Sequence, residues 1–173
     1  MMLETERLIL RKHEPADFDR FWNMINDPVA KRYTGGVTRL TYEHRMELFR
    51  EECEAPFSDR SAEFAVIEKE SGVYLGYCGF RVSDDVNGNE FLYGFCRDCW
   101  GRGYGYEAAR AVLKYLFETY EHNCYLASVD SENAASLRIL QKLGFKKIGD
   151  IMIDDSYPAD LYAIDREQFQ MKA

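Results

Sequence analysis

The sequence has no long hydrophobic run, and this absence excludes a large class of proteins. A membrane-spanning helix needs about 18 or more consecutive apolar residues, and no stretch of the 173 residues approaches that length. The first residues, MMLETERLILRKHEP, carry charges inside their apolar part, so they do not match a secretory signal peptide. We therefore expect a cytoplasmic protein with no membrane partner.

An excess of positive charge is also missing. The chain has 22 Lys and Arg residues against 30 Asp and Glu residues, a net charge of −8. Nucleic-acid binding depends on basic residues that neutralise phosphates, so we expect no nucleic-acid partner. The acidic balance suits a cationic partner, but it is equally typical of a merely soluble protein. Without repeats or linkers, the sequence predicts a single domain over residues 1–173.

The cysteines lack the number and spacing of a disulfide framework or a metal site. There are five, an odd number that favours reduced thiols. Cys96 and Cys99 resemble half a zinc site or a redox pair, but no second C-x-x-C or H-x-x-x-H accompanies them. A redox pair normally lies at a helix N-terminus, which is not the predicted position of Cys99. We expect no metal, and we interpret these thiols as packing residues.

The apolar pattern that is present predicts an α+β fold. Helical spacing predicts four helices, over 16–27, 41–55, 103–119 and 132–143. Short β-rich runs predict strands at 7–15, 63–69, 73–83, 89–96 and 124–130, with a last pair within 145–164. The Asn87-Gly88 turn predicts an antiparallel hairpin. We expect a mostly antiparallel sheet with helices packed on it. Gly144 is a candidate C-cap of the last helix.

Glycines concentrate between a predicted strand and a predicted helix. Gly101, Gly103 and Gly105 allow positive φ and close approach of a ligand to the main chain. The helix that follows presents unpaired N–H groups and its positive dipole end, and Arg102 adds a positive charge. The Walker and dinucleotide fingerprints are both incomplete here. The sequence predicts a phosphate cradle, with a ligand-free tight turn as the alternative.

Gly94 lies inside the strand that leads to this loop. A glycine in a strand interior often marks a bulge, and a bulge would free main-chain N–H and C=O groups beside the loop. The alternative is a simple twist of the strand.

Three ordered stretches resemble the GNAT-type N-acetyltransferases. They are LETERLILRKHEPADFDRFWNMINDP, EFLYGFCRDCWGRGYGYEAARAVLKYLF and SVDSENAASLRILQKLGFKKIGD. The sequence is most similar to the branch of ribosomal-protein N-terminal alanine acetyltransferases. The resemblance implies the GNAT fold, with a V-shaped splay between two parallel strands, 89–96 and 124–130. It also implies acetyl-CoA as co-substrate, an amine as acceptor, no metal, and dimers as a common state.

The resemblance assigns residues to the acetyl-CoA site. The pantetheine arm would pair with the main chain near Phe95 and Arg97, and Asn133 and Arg138 would contact the arm and its phosphate end. The amides that would bind the diphosphate are those of Arg102, Gly103, Tyr104, Gly105 and Tyr106. Asn133 has an alternative role as a helix cap. Arg138 has one as an exposed helix charge.

The same resemblance implies direct attack of an amine on the thioester. Glu90 is the candidate base, acting directly or through water, with an exposed edge-strand charge as the alternative. Many relatives carry a tyrosine acid at the position of Leu140, so Ser136 becomes the candidate acid, with a plain surface serine as the alternative. We expect the acceptor to be a protein or peptide N-terminal amine. The alternatives are a polyamine, amino acid or antibiotic acceptor, or a CoA-binding regulatory domain without turnover.

Overall fold

The computed structural model describes residues 1–154 and 156–170, which form eight strands and five helices. The strands are β1 (Met2–Glu4), β2 (Leu8–Arg11), β3 (Ser61–Glu68), β4 (Tyr74–Ser83), β5 (Gly88–Phe95), β6 (Cys124–Val129), β7 (Lys146–Ile153) and β8 (Tyr157–Asp165). The helices are α1 (Phe18–Ile25), α2 (Tyr42–Glu54), α3 (Tyr104–Thr119), α4 (Ala134–Leu143) and α5 (Arg166–Gln170). None of these helices has the length and apolar character needed to cross a bilayer.

All eight strands belong to one sheet, in the order β1-β2-β3-β4-β5-β6-β8-β7. Every neighbouring pair is antiparallel except β5 and β6, which are parallel. A parallel pair needs a long crossover connection, and α3 supplies it. The prediction of a mostly antiparallel α+β sheet with one parallel central pair is confirmed.

Local signals account for the ends of the helices. The hydroxyl of Thr41 accepts a hydrogen bond from the His44 N–H at 3.3 Å, so Thr41 caps α2 at the position where the pattern predicts a helix start. Gly144 has φ of 104° and ends α4, as predicted. This left-handed conformation suits glycine because it has no Cβ.

The N-terminal segment differs from its prediction. A single strand was expected over 7–15, but β1 and β2 form a short antiparallel pair, and the chain leaves the sheet after Arg11. Asp17, which is 5% exposed, receives hydrogen bonds from the Arg11 guanidinium at 2.7 and 2.9 Å and from the Glu14 N–H at 2.9 Å. These bonds favour a turn over an extended strand because they satisfy a buried carboxylate.

Gly94 does not lie in a bulge. The β4–β5 register passes through Tyr77↔Gly94 and Cys78↔Tyr93 without a shift, so the expected bulge was wrong. A Cβ at Gly94 would lie 2.8 Å from the Tyr77 ring, which explains the glycine. The irregularity is in β4 instead, where Leu75 has no partner between the Val66↔Gly76 and Ile67↔Tyr74 pairs that β3 makes with β4.

Helices cover the two faces of the sheet differently. On one face, Phe21 of α1 packs against Tyr77 of β4, and on the other Phe117 of α3 packs against Tyr125 of β6. We call these the α1 face and the α3 face. Since side chains alternate along a strand and paired residues share a face, Glu90 lies on the α1 face. Tyr93 lies on the α3 face.

Two strand glycines provide a stability test. A Cβ at Gly79 would lie 2.2 Å from the Ala62 carbonyl oxygen, whereas one at Gly149 would meet nothing within 4 Å. We expect Gly79→Ala to lower the free energy of unfolding by about 2–3 kcal/mol, because the contact is with main chain that cannot move aside. Gly149→Ala should be neutral or stabilising by up to about 1 kcal/mol. Urea unfolding of both variants measures this, and equal effects would contradict the packing described for β3 and β4.

Candidate functional site

The two parallel strands separate near their middle. Their register contains one pair, Glu90↔Leu126, although β5 has eight residues and β6 has six. The Cys96 N–H donates to the Leu75 carbonyl, so alternation directs the main-chain groups of Tyr93 and Phe95 away from β4, toward the side of β6. Beyond Glu90 these groups face an opening in the sheet. An extended ligand can pair with them as an added strand does.

The glycine loop ends directly at this opening. Arg97–Cys99 form one 3-10 turn after β5, Gly101 and Gly103 have φ of +74° and +84°, and α3 begins at Tyr104. No side chain caps α3. The N–H groups of Tyr104, Gly105 and Tyr106 have no acceptor among the described residues. An uncapped N-terminus with a left-handed glycine before it is the geometry of an anion site.

Gly105 has a different role from Gly103. A Cβ at this position would lie 2.9 Å from Ile139 of α4 and 3.5 Å from the Phe95 ring. Because Gly105 has no Cβ, α3 and α4 can approach each other closely at the edge of the opening. The glycine therefore sets the distance between the two helices, rather than the conformation of the loop.

Arg7 and Glu107 hold the loop against the N-terminal hairpin. Glu107, in the first turn of α3, accepts hydrogen bonds from the Thr5 hydroxyl at 2.5 Å, the Arg7 N–H at 2.9 Å and the Arg7 Nε at 2.7 Å. Burial alone would raise the pKa of Glu107, but these bonds outweigh it and lower the pKa. Arg7 also donates to the Arg102 carbonyl at 2.9 Å and lies 3.4 Å from the Cβ position of Gly103.

A second set of contacts lies behind the loop. Arg102 forms an ion pair with Glu68 at 3.2 Å, and the Tyr104 hydroxyl donates to the same carboxylate. A hydrogen bond from Ser71, followed by the one from Tyr104, lowers the pKa of Glu68. The guanidinium carbons of Arg7 and Arg102 lie 4.6 and 4.9 Å from the Tyr104 ring centre. The loop thus has two partly exposed arginines beside its free amides.

Cys96 and Cys99 are core residues. They are 6% and 4% exposed, and the Cys99 thiol donates to the Cys96 carbonyl at 2.9 Å. Burial raises the pKa of Cys99 to about 12, so this thiol stays protonated at neutral pH and is a poor nucleophile. Among the described residues, no group of three or more His, Cys, Asp and Glu side chains is arranged to hold a metal ion.

Helix α4 carries three of the predicted residues along its first turns. Asn133 is the N-cap, since its side-chain oxygen accepts the Ser136 N–H at 3.1 Å. Its amide nitrogen has no partner in the described part of the chain and can still donate to a ligand. Arg138 is exposed and makes no ion pair with a described residue. Leu140, where many relatives have tyrosine, is 1% exposed and belongs to the core.

Ser136 contacts β5 across the opening. Its hydroxyl lies 2.8 Å from the hydroxyl of Tyr93, so it is not a plain surface serine. Sequence reasoning did not assign Tyr93 to the site, because a contact between β5 and α4 is tertiary and no local pattern contains it.

Glu90 is 8% exposed and lies on a central strand, so it is not an exposed edge charge. One carboxylate oxygen accepts a hydrogen bond from the Ser128 hydroxyl at 2.8 Å, and the other lies 3.6 Å from the Arg81 guanidinium. The carboxylate is beside the last β5–β6 pair, on the α1 face. Ser136 is reached from the α3 face, so the two candidate catalytic residues lie on opposite sides of the opening.

The residues between β5 and the glycine loop already use some of their main-chain groups. The Phe95 carbonyl accepts the Trp100 indole N–H at 2.9 Å, and the Arg97 carbonyl accepts the Trp100 N–H at 3.2 Å. The Arg97 side chain extends to Asp27 at 3.3 Å. A carbonyl has two lone pairs, so the Phe95 carbonyl can accept a second donor.

A cleft of about 570 Å³ lies at the far end of β6, beside the start of α4. Four of its lining residues are acidic: Asp130, Glu132, Asp150 and Asp160. One of these charges is offset by Lys147, whose ammonium lies 2.8 Å from Asp150 and 2.9 Å from Asp160. The cleft is therefore moderately acidic.

Solved structures share this architecture over nearly the whole chain. A GNAT-family acetyltransferase from Bacillus anthracis aligns with a TM-score of 0.81 and 26% identity, covering 96% of this chain and 99% of that one. Spermidine N-acetyltransferase from Vibrio cholerae, solved with CoA and spermine, aligns at 0.79 with 17% identity, covering 96% and 99%. Ribosomal-protein-S5-alanine acetyltransferase from Vibrio fischeri aligns at 0.75 with 16% identity, covering 98% of each chain. The last two show the fold alone.

Sequence comparison identifies the family. The uncharacterised N-acetyltransferase p20 of Bacillus licheniformis is 31% identical over 148 residues, which are 85% of this chain and 83% of that protein. Residues 7–146 match the acetyltransferase (GNAT) domain. With the GNAT fold, the split parallel pair and the glycine loop in the described structure, the chain belongs to the GNAT family of acetyltransferases.

Proposed function

We propose that this acetyltransferase moves the acetyl group of acetyl-CoA to a primary amine by direct attack at the opening between β5 and β6. The observation that carries the proposal is that two binding features lie next to each other at this opening. Free amides at the N-terminus of α3 suit a diphosphate. The main chain of Tyr93 and Phe95 beside them has no partner strand on the side of β6, and it suits the two amides of a pantetheine arm.

In this proposal, the diphosphate lies on the amides of residues 102–106 and the arm extends along β5. Phe95 and the start of the turn at Arg97 supply main-chain partners, and the free amide nitrogen of Asn133 donates to the arm from α4. Arg138, exposed and without an ion pair in the described structure, reaches the phosphate end. Arg7 and Arg102 add positive charge next to the diphosphate.

The chemistry needs a base, an oxyanion donor and a group that stabilises the leaving sulfur. Glu90 takes a proton from the acceptor ammonium, directly or through water, and its burial on the α1 face suits that role. The free amine attacks the thioester carbon, and a main-chain N–H of β5 at the opening donates to the oxyanion. The nitrogen loses its second proton to water, the C–S bond breaks with its electron pair on sulfur, and the Ser136 hydroxyl donates a hydrogen bond to the departing thiolate.

The acceptor in this proposal is the terminal amine of a peptide or protein. The moderately acidic cleft at the end of β6 favours a second candidate, a small polyamine, because the net negative charge of the cleft would attract a polycation. Release of thiol from acetyl-CoA with a panel of peptides, polyamines, amino acids and aminoglycosides separates the two acceptors. CoA binding without turnover on any amine would indicate a regulatory CoA-binding domain instead.

The cradle is tested by a pair of substitutions at Gly103. Gly103→Glu and Gly103→Gln share the strain of a side chain at φ of +84° and have nearly the same size, so they differ mainly in charge. We expect CoA to bind at least about tenfold more weakly to the Glu variant than to the Gln variant, because a carboxylate at the α3 N-terminus repels the diphosphate. Calorimetry measures both constants. Equal affinities would place the diphosphate elsewhere.

The base is tested by Glu90→Gln, which preserves the size of the side chain. We expect kcat to fall about 100-fold while the affinity for acetyl-CoA changes less than about twofold, since Glu90 lies on the opposite face from the proposed donor site. Glu118→Gln, an exposed substitution on α3, is the matched control and should leave kcat unchanged. Retention of full activity by Glu90→Gln would remove this residue from the mechanism.

A further inference from the structure

One polar contact joins β5 to α4 beside the opening. The Tyr93 hydroxyl lies 2.8 Å from the Ser136 hydroxyl and 3.3 Å from the Ser136 carbonyl oxygen. Both side chains are partly buried, and Tyr93 lies just beyond the last β5–β6 pair. The contact is therefore next to the position where the proposed thioester sulfur would lie, rather than in the interior of the core.

Either hydroxyl can be the donor in this hydrogen bond, and their chemistry favours one of the two directions. A phenol is a much stronger donor than an alkyl alcohol, so the short bond is best satisfied when Tyr93 donates and Ser136 accepts. Burial raises the pKa of Tyr93, which keeps its proton in place at neutral and mildly alkaline pH. In this arrangement the Ser136 proton is not used by Tyr93 and is available for another acceptor.

Ser136 carries the only hydroxyl in the sequence of α4, so it is the candidate hydroxyl donor on this helix. Leu140, one turn later, is in the core, and Asn133 uses its side-chain oxygen to cap the helix. The Ser136 N–H is held by Asn133, so the main chain of Ser136 is fixed by the cap while its hydroxyl is fixed by Tyr93. An alcohol that accepts a hydrogen bond becomes a better donor through cooperative polarisation.

We propose that Tyr93 is a positioning residue for the leaving-group step, an inference that rests on the proposed function. By donating to Ser136, it directs the Ser136 proton toward the CoA sulfur and strengthens that hydrogen bond. When the C–S bond breaks, the electron pair remains on sulfur and the Ser136 hydrogen bond stabilises it. Tyr93 loses no proton. Tyr93 of β5 and Ser136 of α4 together supply the hydrogen bond to sulfur that a single tyrosine at position 140 would supply from α4 alone.

The test measures the stabilisation of the thiolate without any acceptor. Free CoA titrates near the ordinary thiol pKa of about 8.5, whereas acetyl-CoA has no thiol to titrate. We expect the affinity of the wild-type protein for CoA, relative to acetyl-CoA, to rise about tenfold between pH 6.5 and 9.5, because the bound thiolate is stabilised. Tyr93→Phe should reduce that rise to about threefold or less, and Ser136→Ala should nearly abolish it. Calorimetry at a series of pH values gives both constants.

Two further variants make the result specific. Tyr125→Phe removes another buried tyrosine hydroxyl, the one 3.1 Å from His122, and should retain the tenfold rise. The double variant Tyr93→Phe/Ser136→Ala should match Ser136→Ala alone, because Tyr93 acts through Ser136. The inference would be overturned if the rise in relative CoA affinity with pH were as large in Tyr93→Phe as in the wild type. It would also be overturned if this rise were clearly smaller in the double variant than in Ser136→Ala.

Turnover with an amine found in the acceptor panel distinguishes failure of this inference from failure of the proposed function. We expect Tyr93→Phe to lower kcat about threefold to tenfold with an unchanged KM for acetyl-CoA. If the wild type is active and the Tyr93→Phe variant is equally active, only the role of Tyr93 is overturned. Absence of both CoA and acetyl-CoA binding in the wild type would overturn the proposed function itself.

Discussion

The site depends on the separation of two parallel strands beside a helix that begins without a cap. After the Glu90↔Leu126 pair, β5 has main-chain groups with no partner strand, and a few residues later Gly103 starts α3 in a left-handed conformation. Unpaired polar groups of this kind are costly when they are buried. They are tolerated here because they face an opening, where water or a ligand can satisfy them.

Charged residues from distant parts of the chain hold this geometry. Glu107 ties α3 to the N-terminal hairpin through Thr5 and Arg7, and Glu68 of β3 holds Arg102 and Tyr104 behind the loop. The carboxylates of Glu107 and Glu68 bind the arginine side chains on one side of the loop and hold the loop there. The main-chain amides on the other side stay free. A preorganised anion site needs this combination because less conformational entropy is then lost when the ligand binds.

Periodicity and turn chemistry predicted most of the fold. Helices α1 to α4, the hairpin at Asn87-Gly88 and the cap at Gly144 follow from local signals, and the structure confirms them, whereas the short helix α5 was not predicted. The N-terminal strand was predicted too long because the Arg11–Asp17 bond, which turns the chain, is a side-chain contact that periodicity does not contain. Gly94 was ambiguous for a similar reason, since the Tyr77 ring that requires it comes from the neighbouring strand.

The donor half of the candidate site was more predictable than the acceptor half. The glycine loop and the α4 residues are local in sequence, whereas Arg7 and Tyr93 enter the site only through tertiary contacts across the sheet. Acceptor selection depends on surfaces formed by separate segments, such as the cleft between Asp130 and the β7–β8 pair, and no short pattern encodes them.

The central claim is that free amides at the start of α3 bind the diphosphate of acetyl-CoA. Titration of the ¹⁵N-labelled protein with CoA, followed by amide chemical shifts, tests it most directly. The account predicts saturable shifts that are largest at residues 102–106 and along the end of β5. Saturable shifts confined to another surface, or none at millimolar CoA, would contradict it.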